Sequence, residues 1–254
     1  MTNTLKKHID KLNTEIENKE FHNPDKTTIL PLIQSNIQEN EFDLEKLLED
    51  NCTEIKKLKF FEMSDFLIES EKIEEYLSKL TDEIFNILPE DADLQSINYL
   101  LYEILINIYK HSRFGNAYIQ LDISKNNDNI DMCVIDDGIG ISGSFKEASL
   151  SYINDCESLF EAINGKTSDK EKYKLHGRGL NSCARITTHG FDGEMLIASG
   201  KGICVVTTKG AQLYKNKYGI NGTFIVLRIN NNKIDNIYEY LKYERINKIQ
   251  EAKQ

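Results

Sequence analysis

Four residues of the stretch LLYEILINIYKHS (100–112) could act together: a carboxylate at Glu103, an amide at Asn107, an ammonium at Lys110 and an imidazole at His111. On a helix advancing 100° per residue, their side chains fall within an arc of about 100°. Ile104 and Ile108 border that arc on one side and Ile106 on the other. An ordinary surface helix has a broad polar face opposite one apolar stripe. Here the polar stripe is narrow and apolar residues hem it in, so much of the helix is expected to be buried. A carboxylate and an amide in that setting need partners, because burying either unpaired is costly. Two arrangements meet that need: an internal hydrogen-bond network, or a pocket that presents the stripe to a polar ligand.

Three further clusters sit where elements should begin or end. VIDDGIGIS (134–142) closes an apolar run with Asp136-Asp137-Gly138-Ile139-Gly140. An acid at the mouth of a strand can accept a hydrogen bond from an exocyclic amine, and glycines permit positive φ and close approach; Asp-Gly is also a common turn pair. HGRGLNS (176–182) sets Gly177 and Gly179 directly before a helical pattern, the way a chain presents free backbone N–H groups to phosphate oxygens. NGTFIVLRI brings Gly222-Thr223 into the start of a strand, where a hydroxyl could reach a ligand or merely shape a turn.

The elements that must position these residues follow from periodicity. Residues 3–20 read as a charged helix, 27–50 as short helices broken around Pro31, and KKLKFFEMS (57–64) as a strand. ESEKIEEYLSKLTDEIFNIL (69–88) repeats apolar residues at helical spacing, and the quoted helix spans roughly 92–112. The period then changes, and 116–138 reads as a β-hairpin split by Asn/Asp turn residues. Residues 142–176, rich in Ser, Lys and Glu, read as a long loop of the kind that closes over sites, with one amphipathic piece around YINDCESLFEAI. A helix over 179–189, three strand-like runs (EMLIASG, GICVVTTKGAQLY, GTFIVLRI) and an exposed helix over 231–254 complete the chain. This order predicts an α+β fold, a two-layer sandwich with helices on one face of a mixed sheet and a helical N-terminal extension. The expected divisions are an extension over 1–88, a main domain over 89–230 and the C-terminal helix.

Composition narrows the setting. The chain of 254 residues carries a formal net charge of −10, which argues against a nucleic-acid backbone as the main partner. Its five cysteines are scattered without a CxxC pair, as expected of small apolar residues in a reducing compartment. No apolar run is long enough to span a bilayer and the N-terminus is charged, so the expected location is cytoplasmic.

In order, the pattern ExxxNxxKH, DxGxG, a lid, GxGL and GT at the head of a strand resembles the GHKL superfamily over about residues 90–230. That group includes gyrase, Hsp90, MutL, sensor histidine kinases and anti-sigma-factor serine kinases. The resemblance implies the Bergerat ATP-binding fold, with ATP and Mg²⁺ as cofactors. It implies that Asn107 ligates the metal and that Glu103 is the general base. Lys110 and His111 would meet phosphate, Asp136 would take the adenine amine, and Gly138 and Gly140 would let the base approach. Gly177, Arg178, Gly179 and Leu180 would cradle the phosphates, while Thr223 supports the adenine end. The chemistry implied is in-line phosphoryl transfer governed by positioning and charge neutralisation.

Few residues follow Arg228, which disfavours a transducer domain of the gyrase kind, and neither His8 nor His22 sits in a phosphoacceptor motif. The stretch YEILINIYKHS is also similar to a histidine-kinase branch that carries glutamate at this position. The expectation is a stand-alone member most similar to the anti-sigma-factor serine kinases: a regulatory ATPase or serine/threonine protein kinase. A non-catalytic ATP-dependent protein-binding module, or the catalytic part of a split histidine kinase, are the alternatives. A protein partner or a homodimer would occupy the N-terminal extension.

Overall fold

The computed structural model of the protein describes residues 55–58, 70–115, 117–123, 129–168 and 179–249. The helices expected over 3–20 and 27–50, and the site residues Gly177 and Arg178, lie outside that set. The first elements are strand β1 (Ile55–Leu58) and helix α1 (Ser70–Phe85), which buries Ile73, Leu77, Leu80 and Ile84 along one face. Of the strand expected over 57–64, Lys57 and Leu58 belong to β1 and the rest lies outside the described residues.

Helix α2 (Leu94–His111) carries the polar stripe. Asp93 caps it by accepting hydrogen bonds from the Ser96 backbone N–H (3.1 Å) and hydroxyl (2.9 Å). Its other face is packed throughout: Ile97, Leu100, Leu101, Ile104 and Leu105 are each at most 1% exposed. The hairpin β2 (Ala117–Ile123) and β3 (Asn129–Asp136) follows as expected.

Helices α3 (Gly140–Glu147) and α4 (Asp155–Ile163) come next, so much of the segment read as a loop over 142–176 is helical. The signal at α4 is local: Asn154 caps it, its side-chain oxygen accepting from the Glu157 N–H at 3.1 Å. Helix α5 (Gly179–Arg185) runs on into a π-helical turn (Ile186–Gly190).

The three strand-like runs prove to be two long strands, β4 (Glu194–Thr207) and β5 (Gly210–Asn230). The glycines at 200 and 202 mark register shifts inside β4 rather than its end, and the reversal falls at Thr208-Lys209, within the second run. Asp155 stabilises the irregularity by accepting from the Lys201 N–H at 2.7 Å.

The sheet order is β1-β2-β3-β5-β4. The α+β sandwich is present, but all four described pairings are antiparallel, where a mixed sheet was expected. The helical crossover does return β4 in the direction of β3. Strand β5 then inserts between them and hides that parallel relation. Alternate residues of β3, β4 and β5, among them Met132, Val134, Ile197, Ile225 and Leu227, join the helices in one core. On the opposite face Asp131 and Arg228, directly paired across β3 and β5, form a two-pronged ion pair at 2.8 and 2.7 Å.

Residues 231–249 do not form the helix expected there. They hold one 3₁₀ turn (Ile237–Glu239) and then an extended segment. The backbone of that segment finds tertiary partners instead of helical ones: the Ala211 N–H donates to the Asn247 carbonyl and the Ile249 N–H to the Ala211 carbonyl, both at 2.8 Å.

Candidate functional site

The C-terminal half of α2, the end of β3, the start of α3 and the first turn of α5 converge on one cavity. Asn107, His111, Ser112, Asp136, Gly140, Gly179, Leu180 and Thr223 line it with apolar neighbours such as Ile104, Val134 and Ile225. Stretches within 104–112, 134–145, 162–168, 179–180 and 223–225 therefore meet at one place.

At one end stands Asp136, 1% exposed. Burial pushes its carboxyl up to about 7, and the neighbouring Asp137 adds to the rise. The Gly138 N–H, donating to Asp136 Oδ1 at 2.9 Å, pulls the other way. So do the hydroxyls of Thr223 and of Ser112, the latter buried and lacking a hydrogen-bond partner of good geometry.

The loop after Asp136 is docked on the end of α2. The Ile139 N–H donates to the Ser112 carbonyl at 2.7 Å, and Asp137 Oδ1 accepts from the Gly115 N–H at 2.7 Å. Gly138 is required by this docking: a Cβ there would strike the Ser112 carbonyl, and the residue does not line the cavity. Its close approach is to protein backbone. Gly222 (φ 78°) likewise admits the Asp136 carbonyl where a Cβ would collide with it.

At the other end Gly179 rests on the polar stripe. A Cβ on Gly179 would lie 2.5 Å from Glu103 Oε2 and 3.4 Å from Asn107 Nδ2. Glu103 is backed from below by Tyr99, one helical turn earlier. The Tyr99 hydroxyl interacts with both Ser182 and Glu103, and burial followed by the Glu103 charge pushes its pKa up to about 12. Tyr99 therefore keeps its proton and can donate it to the carboxylate while accepting from Ser182.

Residues 92–216 match the family described as histidine kinase-, DNA gyrase B-, and HSP90-like ATPase. This segment is a GHKL-type ATPase domain. Among curated proteins, none matches the chain. The family carries ATP binding with it, so the chain holds an ATP-binding domain of the ATPase and kinase superfamily. No helix among the described residues is long and apolar enough to cross a membrane.

Within the GHKL-type domain, the two residues expected to meet phosphate from the end of α2 are placed differently. Lys110 is exposed in the last turn of α2 and does not line the cavity. Among the described residues Lys166, from the NGKTS turn after α4, does line it; its Nζ donates to the Ser151 carbonyl at 2.6 Å and lies 5.5 Å from the Phe145 ring centre. His111 faces the cavity and its Nδ1 pairs with Ser168 Oγ at 3.0 Å, which in turn contacts Ser144 Oγ at 2.6 Å. This chain of polar groups links α2 to the segment after α4.

Sequence reasoning also passes over Tyr99 and Ser199. Ser199, 1% exposed, donates to the Gly222 carbonyl (2.8 Å) and accepts from the Ile141 N–H (3.0 Å), tying β4 and β5 to the Gly140 turn. A lone serine inside a strand gives no signal of this kind. The i, i+4 spacing of Tyr99 and Glu103 is readable. Replacing Tyr99 with Phe is expected to slow phosphoryl transfer about tenfold at unchanged nucleotide affinity, and to shift the acid limb of its pH profile. Paired measurements of turnover and Kd across pH check this; a variant that loses affinity instead would make Tyr99 a packing residue only.

Proposed function

We propose that this domain binds an adenine nucleotide with Mg²⁺ in the cavity and catalyses transfer of its terminal phosphoryl group, as a cytoplasmic regulatory ATPase or serine/threonine kinase. The observation that carries the reading is the seating of Gly179 against both Glu103 and Asn107. It brings the glycine expected beside phosphate to the one carboxylate and the one amide of the polar stripe.

In this reading Asp136, with Thr223 and Ser112 around it, takes the adenine amine. Its end of the cavity is apolar except for those groups, which suits a flat base with one polar edge. Lys166, His111 and the Gly179 backbone face the phosphate end. Glu103 removes the proton from the attacking water or hydroxyl, held in place by Tyr99. The described residues hold no cluster of three acidic, histidine or cysteine side chains that would bind a metal unaided. A single amide oxygen at Asn107 fits a hard cation whose remaining ligands are phosphate oxygens and water. Bound there, Mg²⁺ neutralises charge on the phosphates. Residues 142–176 act as the lid, and Gly177 and Arg178 beyond it join Gly179 at the phosphates.

The test is titration of the protein with a fluorescent ATP analogue, with and without Mg²⁺, followed by competition with ATP, ADP and GTP. Saturable binding displaced by ATP and ADP, but poorly by GTP, is the expected result. Indifference to the base would remove Asp136 from its role, and absence of binding would overturn the reading.

A further inference from the structure

The extended segment 243–249 lies across the base of the lid and across α5. Two asparagines hold it, each reading one residue of the segment through both its backbone groups. Asn164, which caps the C-terminus of α4, accepts from the Ile246 N–H at 2.8 Å and donates to the Ile246 carbonyl at 3.2 Å. Asn181 accepts from the Glu244 N–H at 3.4 Å and donates to the Glu244 carbonyl at 3.0 Å. Residues 244 and 246 are two apart, so both present the same edge of an extended chain. The opposite edge is claimed as well: in a parallel bridge Ala211 takes the Asn247 carbonyl and the Ile249 N–H.

Asn181 lies in the interior and the segment lies at the surface. Asn181 is fully buried and its amide also donates to the Ile163 carbonyl at 2.9 Å. No residue from Leu241 to Ile249 is buried, and only Leu241, Ile246 and Ile249 are even half-buried. The segment is held by backbone recognition and by ion pairs at its rim, Arg185 with Glu244 (2.7 Å) and Lys248 with Glu157 (2.6 Å). A stretch with so little apolar burial opens at low cost compared with the core.

Both asparagines adjoin the cavity. Asn181 is two residues beyond Gly179, on the helix that seats that glycine against Glu103. Asn164 is two residues before Lys166 and four before Ser168, which line the cavity. We infer that residues 243–249 are a cis-acting strap, an extended peptide bound by its own domain, whose docking fixes α5 and the base of the lid in the nucleotide-binding arrangement. The inference rests on the nucleotide reading above. The groove formed by Asn164, Asn181 and Ala211 recognises backbone, and the ion pairs at its rim favour an acidic residue at 244 and a basic one at 248. Release of the strap lowers nucleotide affinity, and nucleotide by reciprocity tightens the strap.

The test compares Mg-ATP binding by the full chain and by a chain ending at Lys242. The expected result is at least a tenfold loss of affinity, recovered on adding a synthetic peptide of residues 243–254. Equal affinity in the two chains overturns the strap while leaving the nucleotide reading intact, whereas a full chain that binds no nucleotide overturns both. Should the shortened chain fail to fold, Ile246→Pro in the full chain removes the N–H read by Asn164 and is expected to weaken binding in the same direction. Hydrogen exchange on the unmodified protein tests the coupling independently: saturating Mg-ATP slows the Ile246 and Ile249 amides, and unchanged exchange there overturns it.

Discussion

Glu103→Ala is expected to bind Mg-ATP within about threefold of the unmodified protein and to lose phosphoryl transfer by about 10²–10⁴-fold, the usual worth of a positioned general base. Glu103 lies at the floor of the site, against Gly179, and is not among the groups that line the cavity. Its removal therefore spares the contacts available to the base and sugar. Glu103→Gln separates the two functions of the side chain. It keeps the volume beside Gly179 and a partner for Tyr99, but cannot accept a proton, so it should be as slow as the alanine variant. Release of labelled phosphate, and labelling of any protein substrate, measured beside nucleotide Kd, decides the matter. Turnover equal to that of the unmodified protein in both variants would sink the assignment of Glu103 as base.

The parts of the site legible in the sequence are those where one element enforces its own geometry. The stripe of Glu103, Asn107 and His111 follows from helical spacing alone; in the structure Asn107 and His111 line the cavity, Glu103 lies beneath Gly179, and Lys110 is exposed in the last turn. The strand end at Asp136 is equally readable, because β3 is apolar until it reaches that acid. Sheet order is not readable, since the insertion of β5 between β3 and β4 depends on pairings across nearly a hundred residues. Helix α4 shows in the sequence as a short amphipathic piece, whereas α3 is obscured because small polar residues of it pack against other serines, as in the contact of Ser142 with Ser158 at 2.6 Å. The C-terminal segment has apolar residues at spacings compatible with a helix, yet its backbone is claimed by Asn164 and Asn181. Asparagines that receive a distant extended segment leave no local mark in either partner.

Asp136 gives the second large effect, and it has two opposed pH dependences. Asp136→Ala is expected to weaken ATP binding by about 10–100-fold, the loss of one charge-assisted hydrogen bond in a buried setting, and to abolish preference over GTP. Guanine presents a carbonyl where adenine presents its amine, and a carboxylate cannot donate to it. Burial holds the Asp136 carboxyl at about 7 against an ordinary 3.8, so without ligand the folded chain keeps a proton that the unfolded chain has released between those values. The folded state binds more protons in that window, and the stability contributed by this group is full below about 4 and declines as pH rises to about 7. An adenine amine donating to the carboxylate favours its ionised form, so nucleotide binding expels that proton and affinity climbs as pH rises towards 7. Ligand-free melting temperature and ATP affinity should thus move in opposite directions over the same interval. Asp136→Asn, which accepts the same hydrogen bond without titrating, should flatten both curves relative to the unmodified protein. A difference in slope that is absent, or ATP affinity that falls as pH rises through this range, would place the adenine end of the nucleotide elsewhere in the cavity.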